Sequence, residues 1–288
     1  MSNEQPSKKG AICRFQRPYD WSAVDAVVRE QGGAILQKLF SASEVKSFNR
    51  EIDAYLIADG LAGRPHTGSA AYDRFLGHRT VRLHGLIEKF ESARNWIDRC
   101  ELLDWAERTL EPTATTMLLN AAELIQIGPG EPSQYMHRDS DSWPLVPLGD
   151  QPVVVNAVIA LDPFTLENGA TRFTPGSWRW PRDQKSNPEE IVRAQMEAGD
   201  ALLFRGDVIH GGGANTTERH RRGVSFSYCA GWLRPVENSF LNVSRERVKN
   251  LPKRVQKLLG YAAYDGERDG GGLIGLYENG DPGTLVMN

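Results

Sequence analysis

His137-Arg138-Asp139, just after Gly128-Pro129-Gly130, sets an imidazole and a carboxylate two residues apart. On an extended segment, residues i and i+2 project to one side, so the two groups can address a common point. Among the six histidines, His210 is best placed to add a third donor, since it ends the segment 200–209 and precedes Gly211-Gly212-Gly213. A histidine released by glycines at the end of a strand can turn into a pocket. The separation of 71 residues from Asp139 to His210 allows several strands to fold back between them. Two histidines and one carboxylate make the facial ligand set of a non-haem Fe(II) site and leave three coordination positions open. Each residue alone has a plainer reading, a surface histidine or a chance His-x-Asp; their joint occurrence with the next feature favours the metal.

That feature is Arg221-Arg222, at the start of Gly223-Val224-Ser225-Phe226-Ser227-Tyr228-Cys229. A dianionic co-substrate such as 2-oxoglutarate needs a fixed, forked cation for its distal carboxylate, and arginine supplies one. A ferrous ion, Asp139, the dianion and one arginine sum to zero charge, the balance a buried site favours. The role is assigned to Arg222, with Arg221 or Arg82 as the arginines that would take it instead; the plainer reading of an Arg pair is a solvated strand edge.

The elements that must position these groups can be read along the 288 residues. Apolar positions predict a helix over 21–31, a short strand at 34–36, and a second helix after the Ser41/Glu44 capping box. Residues 59–77 read as loop and 83–110 as mostly helical. After Pro112, short β-type segments at 117–127, 152–161, 170–174, 200–204 and 223–232 alternate with Gly, Pro, Asn and Asp turns, and 244–260 returns to helix. Several short strands after a helical start predict a mainly β sandwich or barrel faced by helices. The reading is a loose lead-in over 1–20 and one domain over 21–288, with its β core at about 115–235; a Gly-rich tail, 266–283, closes the chain.

With 34 Lys and Arg against 37 Asp and Glu, the net charge of −3 gives no general pull on nucleic acid or anionic membrane. The three cysteines, Cys13, Cys100 and Cys229, are too scattered for a disulfide framework. No secretory leader or membrane span is apparent. The expected setting is cytoplasmic, with a small-molecule substrate and neither nucleic acid nor membrane as partner.

The stretches Gln134–Asp139, Thr165–Trp180, Gly206–Gly211, Arg222 and Trp232–Pro235 resemble the phytanoyl-CoA dioxygenase-like branch of the Fe(II)/2-oxoglutarate oxygenases. The likeness is strongest to microbial members that oxidise meroterpenoids and indole alkaloids. It implies a double-stranded β-helix (jelly-roll, cupin-like) core flanked by N- and C-terminal helices. It also implies that Gln134, Thr171 and Arg82 join Arg222 in contacting 2-oxoglutarate, with Arg79 competing for the place of Arg82. The co-substrate would occupy two open positions through its 1-carboxylate and 2-keto oxygen, and dioxygen the third. Its decarboxylation to succinate then drives abstraction of hydrogen from a C–H bond. Hydroxylation, desaturation, rearrangement or endoperoxidation can follow, and Asp139 argues against halogenation. Members of the family are often homodimers.

If Arg222 points inward, strand parity sends Val224, Phe226 and Tyr228 inward too, toward substrate, although Val224 and Phe226 equally suit plain core. Val154 and Asn156 share a face that could form the opposite wall. Tyr72, Met136 and Trp143 are further candidates for the pocket or a lid. His-Arg-Asp also opens a protein-kinase catalytic loop, but Pro144 stands where the metal-binding asparagine belongs and no Asp-Phe-Gly follows. The Gly270–Gly275 stretch lacks Gly-Lys-Ser/Thr, so no phosphate loop is indicated. Two other readings stand behind the natural-product oxygenase: an acyl-CoA hydroxylase of primary metabolism, and a non-catalytic jelly-roll binding protein.

Overall fold

A computed structural model describes residues 11–59, 69–265 and 271–287. Residues 1–10 of the expected lead-in, His66 and residues 266–270 of the tail lie outside these. The strands are β1 (Arg14–Phe15), β2 (Gly33–Leu36), β3 (Thr80–Leu83), β4 (Met117–Ile127), β5 (Val154–Ala160), β6 (Thr171–Phe173), β7 (Val192–Ala194), β8 (Ala201–Arg205), β9 (His210–Gly211) and β10 (Arg221–Ala230). The helices are α1 (Trp21–Gln31), α2 (Ala42–Asp59), α3 (Ala70–Leu76), α4 (Leu86–Lys89), α5 (Glu91–Ile97), α6 (Cys100–Leu110), α7 (Ser239–Asn242), α8 (Arg245–Lys249) and α9 (Lys253–Leu258).

Seven strands form the major sheet in the order β1-β2-β8-β5-β10-β4-β3, antiparallel except for β1 against β2. The minor sheet runs β7-β6-β9. Backbone bonds between His137 and His210, 2.9 Å in both directions, lay the segment before the 139–142 turn along the outer side of β9. Two facing sheets with helices on one side constitute the jelly roll of this fold class.

The outer face of the major sheet is covered by helices. Val24 and Val28 of α1, Phe48 and Ile52 of α2, Trp96 of α5 and Trp105 of α6 pack with Leu119, Leu124, Val155, Ala157, Val224 and Phe226 in one core. Phe40 stacks on Trp96 with ring centres 3.8 Å apart, and Phe48 meets the same indole edge-on. Burying each such side chain contributes about 1.5–3 kcal/mol. A second cluster between the sheets holds Ile35, Phe164, Phe173, Leu202 and Phe204.

Helix starts follow the local chemistry. Asp20 caps α1 by accepting from the Ala23 amide, and Ser41 and Glu44 exchange hydrogen bonds before α2. Three expectations need correction. Residues 11–20 are not loose: Ile12 is buried and Arg14–Phe15 pairs with β2, because backbone pairing there satisfies a sheet edge. The 59–77 stretch contains α3, capped by Ser69, and the strand β3 precedes the helices expected from residue 83. Both were hidden because no side chain of α3 is buried and β3 is only four residues long. Among the described residues no helix is long and apolar enough to cross a membrane.

Candidate metal centre between the sheets

His137, Asp139 and His210 converge, with one potential ligand atom from each lying within 4.8 Å of the others. His210 comes from β9, His137 from the segment paired with it, and Asp139 from the start of the 139–142 turn. The turn is anchored where the Ser140 amide donates to the Gly206 carbonyl. Nε2 of His137 lies 3.5 Å from Asp139 Oδ1, and Nε2 of His210 lies 3.7 Å from Oδ2. The opposite ring nitrogens face backbone carbonyls: His137 Nδ1 is 3.2 Å from Tyr135 O, and His210 Nδ1 is 3.0 Å from Val208 O. A carbonyl only accepts, so each Nδ1 carries a proton, and each Nε2 is the nitrogen turned toward Asp139. Phe75 meets the His137 ring edge-on at 4.8 Å and Phe204 meets His210 at 4.7 Å, which limits ring rotation.

Electrostatics prepare the same state. Burial pushes the Asp139 carboxyl up, but His210, His137 and the Asn156 amide more than offset it and hold the group ionised below its usual range. Burial pushes the His210 imidazole down to about 4, against the pull of Asp139, so it stays neutral at pH 7. Two imidazoles and one carboxylate are the donor set that suits a ferrous ion.

Glycine matters just beyond His210: a Cβ on Gly213 would sit 2.8 Å from the Ala170 carbonyl oxygen, so only glycine permits the chain to pass that close.

The strand β10 shows its two faces clearly, and they are the reverse of the expectation. Arg222 points to the helical side. Its Nε donates to Gln126 Oε1, one Nη donates to Asn49 Oδ1 at 3.3 Å, and the other pairs with Asp53 at 2.6 Å. Its guanidinium therefore ties α2 to the sheet. Val224, Phe226 and Tyr228 share that face and are fully buried in the helical core. The error is one residue of parity: β10 is buried on both sides, so its apolar pattern does not mark the inner face.

Arg221 points between the sheets. It is 3% exposed, stacks 3.9 Å over the Phe164 ring and donates to the Gly169 carbonyl. Among the described residues its Nε has no partner, and no carboxylate forms an ion pair with it. Burial, aided by the nearby Arg82 charge, pushes its guanidinium down to about 9, with Asp162 opposing. A buried cation in that condition calls for an anion.

The remaining expected contacts are mixed. Thr171 is buried on β6, on the same face as Phe173, whose register partner is His210. Gln134 spans two backbones, donating to Phe75 O and accepting from Gly212 N. Arg82 is already neutralised by Glu123 at 2.8 Å and donates to Leu76 O, while Arg79 Nη1 reaches Pro129 O. Val154 is fully buried against Cys229 and Leu233, so it is core rather than pocket wall. Trp143 packs at the edge of that cluster and donates its indole N–H to Arg234 O. Asn156 donates to Asp139 Oδ2 at 2.9 Å. Tyr72 is 45% exposed and stacks on Phe75 at the outer side of His137; Met136, beside His137, is half-buried.

The inward residues Glu123, Val158 and Ser225 went unnoticed in the sequence. They lie in one row across β4, β10 and β5 and are only half-buried, while their helix-facing neighbours Leu124, Ala157 and Val224 are fully buried. The inner face of the sheet is therefore open to solvent at this row.

The placement of Tyr228 leads to a direct test. Its hydroxyl is buried with no hydrogen-bond partner among the described residues, which costs about 1–3 kcal/mol, and burial raises its pKa. Tyr228→Phe should raise Tm by about 2 °C or more in thermal unfolding. A fall in Tm would show that the hydroxyl has a partner after all.

A family model described as phytanoyl-CoA dioxygenase (PhyH) matches residues 28–223. The chain belongs to this family. Among its relatives, "Dioxygenase ALT11" from Alternaria alternata is 35% identical over 241 residues, covering 81% of this chain and 79% of that protein. "Dioxygenase aneA" from Aspergillus aculeatus is 34% identical over 245 residues, covering 81% and 80%. The chain is thus an enzyme of the dioxygenase class, and the non-catalytic reading falls away. Similar solved structures include the non-haem α-ketoglutarate-dependent carbocyclase SnoK from nogalamycin biosynthesis, with TM-score 0.60 and 20% identity over 76% of this chain and 88% of that one. The epimerase SnoN, solved with Fe3+, α-ketoglutarate and nogalamycin RO, has TM-score 0.58 and 20% identity over the same shares. This likeness supports the jelly-roll fold of the PhyH chain.

Proposed function

We propose that this PhyH-family chain is an Fe(II)- and 2-oxoglutarate-dependent oxygenase that acts on a C–H bond of a small, largely hydrophobic natural product. The observation that carries the reading is the His137-Asp139-His210 cluster together with a buried arginine, Arg221, that pairs with no carboxylate among the described residues of the same inter-sheet layer. The triad would hold the ferrous ion, and Arg221 the distal carboxylate of 2-oxoglutarate, with Thr171 nearby on the interior face of β6. When bound, these groups supply the oxidising power for C–H cleavage and release succinate and carbon dioxide. The protein's own part is to keep the His210 imidazole neutral, keep Asp139 ionised and hold the dianion in one orientation between the sheets. The enzymes of nogalamycin biosynthesis that share this fold favour a natural-product substrate over an acyl-CoA.

The Glu123–Ser225–Val158 row is where substrate would lie, with Tyr72 at the mouth. Position controls outcome in this chemistry, since a shift of about 1 Å can change rate a hundredfold. Val158→Phe should therefore redirect or block product formation while succinate release without substrate continues. Mass spectrometry of products alongside succinate yield checks this; an unchanged product ratio would remove Val158 from the substrate wall. The function itself is tested by incubating the purified protein with Fe(II), 2-oxoglutarate and oxygen. Succinate formation that depends on Fe(II) is expected, and its absence, with or without extracts containing candidate substrates, counts against the reading.

A further inference from the structure

Asn156 sits in the middle of β5, flanked in register by Phe204 of β8 and Ser227 of β10, and is 1% exposed. Its amide donates to Asp139 Oδ2 at 2.9 Å, leaving Oδ1 as the oxygen without an amide donor. Its place is made by a glycine: a Cβ on Gly206 would come within 3.3 Å of Asn156 Nδ2 and 2.4 Å of Val154 Cγ1. A side chain rooted in the centre of a seven-stranded sheet cannot follow a moving carboxylate, so the amide fixes Asp139 instead.

We propose that Asn156 is a positioning residue that restricts Asp139 to one-oxygen coordination and thereby preserves the third open position on the metal. The proposal rests on the functional reading above. The physical reason is a count of positions. A facial set of three one-atom ligands leaves three places, two for 2-oxoglutarate and one for dioxygen. A carboxylate free to bind through both oxygens would take a fourth place, so that 2-oxoglutarate would fill the last two. An N–H directed at Oδ2 competes for the lone pairs that chelation needs, and Oδ1 is left to the metal.

The test uses nitric oxide as a dioxygen surrogate on the full chain loaded anaerobically with Fe(II), read by the electron paramagnetic resonance signal of the iron–nitrosyl adduct. Wild type should give comparable signals with and without 2-oxoglutarate. Asn156→Leu, close in volume but without a donor, should keep iron and the signal without 2-oxoglutarate, and lose at least fivefold of it when 2-oxoglutarate is present. Asn156→Ala should show the same split if the leucine variant folds poorly. Val154→Ala, on the same strand and face but without contact to Asp139, is the packing control and should lower Tm without creating a split. Equal signals with and without 2-oxoglutarate in both Asn156 variants would overturn the proposal. If wild type forms no adduct with iron and 2-oxoglutarate together, the functional reading fails first, and the proposal with it.

Discussion

Replacing Arg221 with Ala should raise the apparent KM for 2-oxoglutarate by about a hundredfold or more, whereas Arg222→Ala should leave it within about threefold. Removing one partner of a buried charge pair typically costs about 3–5 kcal/mol, because the surviving charge stays buried without compensation. Arg221 is the arginine in that position: it is buried, lacks a carboxylate partner among the described residues, and shares the inter-sheet layer with the triad. Arg222 has its partners already, in Gln126, Asn49 and Asp53. Its loss should appear as a lower Tm, since it ties α2 to the sheet. Michaelis constants for 2-oxoglutarate in both variants decide between them. A large rise for Arg222→Ala with none for Arg221→Ala would reverse the assignment of faces on β10.

His210→Ala should abolish 2-oxoglutarate turnover, a loss of about a thousandfold or more, because two remaining ligands do not hold iron in facial geometry. His137→Ala and Asp139→Ala should behave alike. In each case the protein should stay folded, since the flanking Phe75, Phe204 and the paired backbones of His137 and His210 do not depend on the imidazoles. Iron content and succinate yield measured together are the check. Full turnover with iron retained in the His210→Ala protein would contradict the ligand set.

The sequence marked some of this and concealed the rest for physical reasons. His-x-Asp, the distal histidine and the glycines beyond it are side-chain types at legible spacings, so the triad could be named before any geometry. The long strands β4, β5 and β10 announced themselves because their apolar and β-branched runs are bounded by Gly, Pro and Asn turns. What spacing could not give was the inner face of β10, since both of its faces are buried and period two carries no contrast there. Choosing Arg222 moved Val224, Phe226 and Tyr228 to the wrong side together, as a one-residue shift of parity must. Asn156 lay on the suspected wall, but its amide turned out to bind Asp139, a contact across 17 residues that no local pattern encodes. The short β7 was not read, and β9 was not separated from the segment before His210, because so few residues leave little period to follow.

The most direct test of the account is an anaerobic titration of Fe(II)-loaded protein with 2-oxoglutarate, followed by the visible charge-transfer absorption that a chelated 2-keto acid gives on ferrous iron. Wild type and Arg222→Ala should develop the band at similar 2-oxoglutarate concentrations, Arg221→Ala only at concentrations about a hundredfold higher, and His210→Ala not at all. A wild-type protein that binds iron yet develops no band, or a His210→Ala protein that develops it in full, would contradict the account.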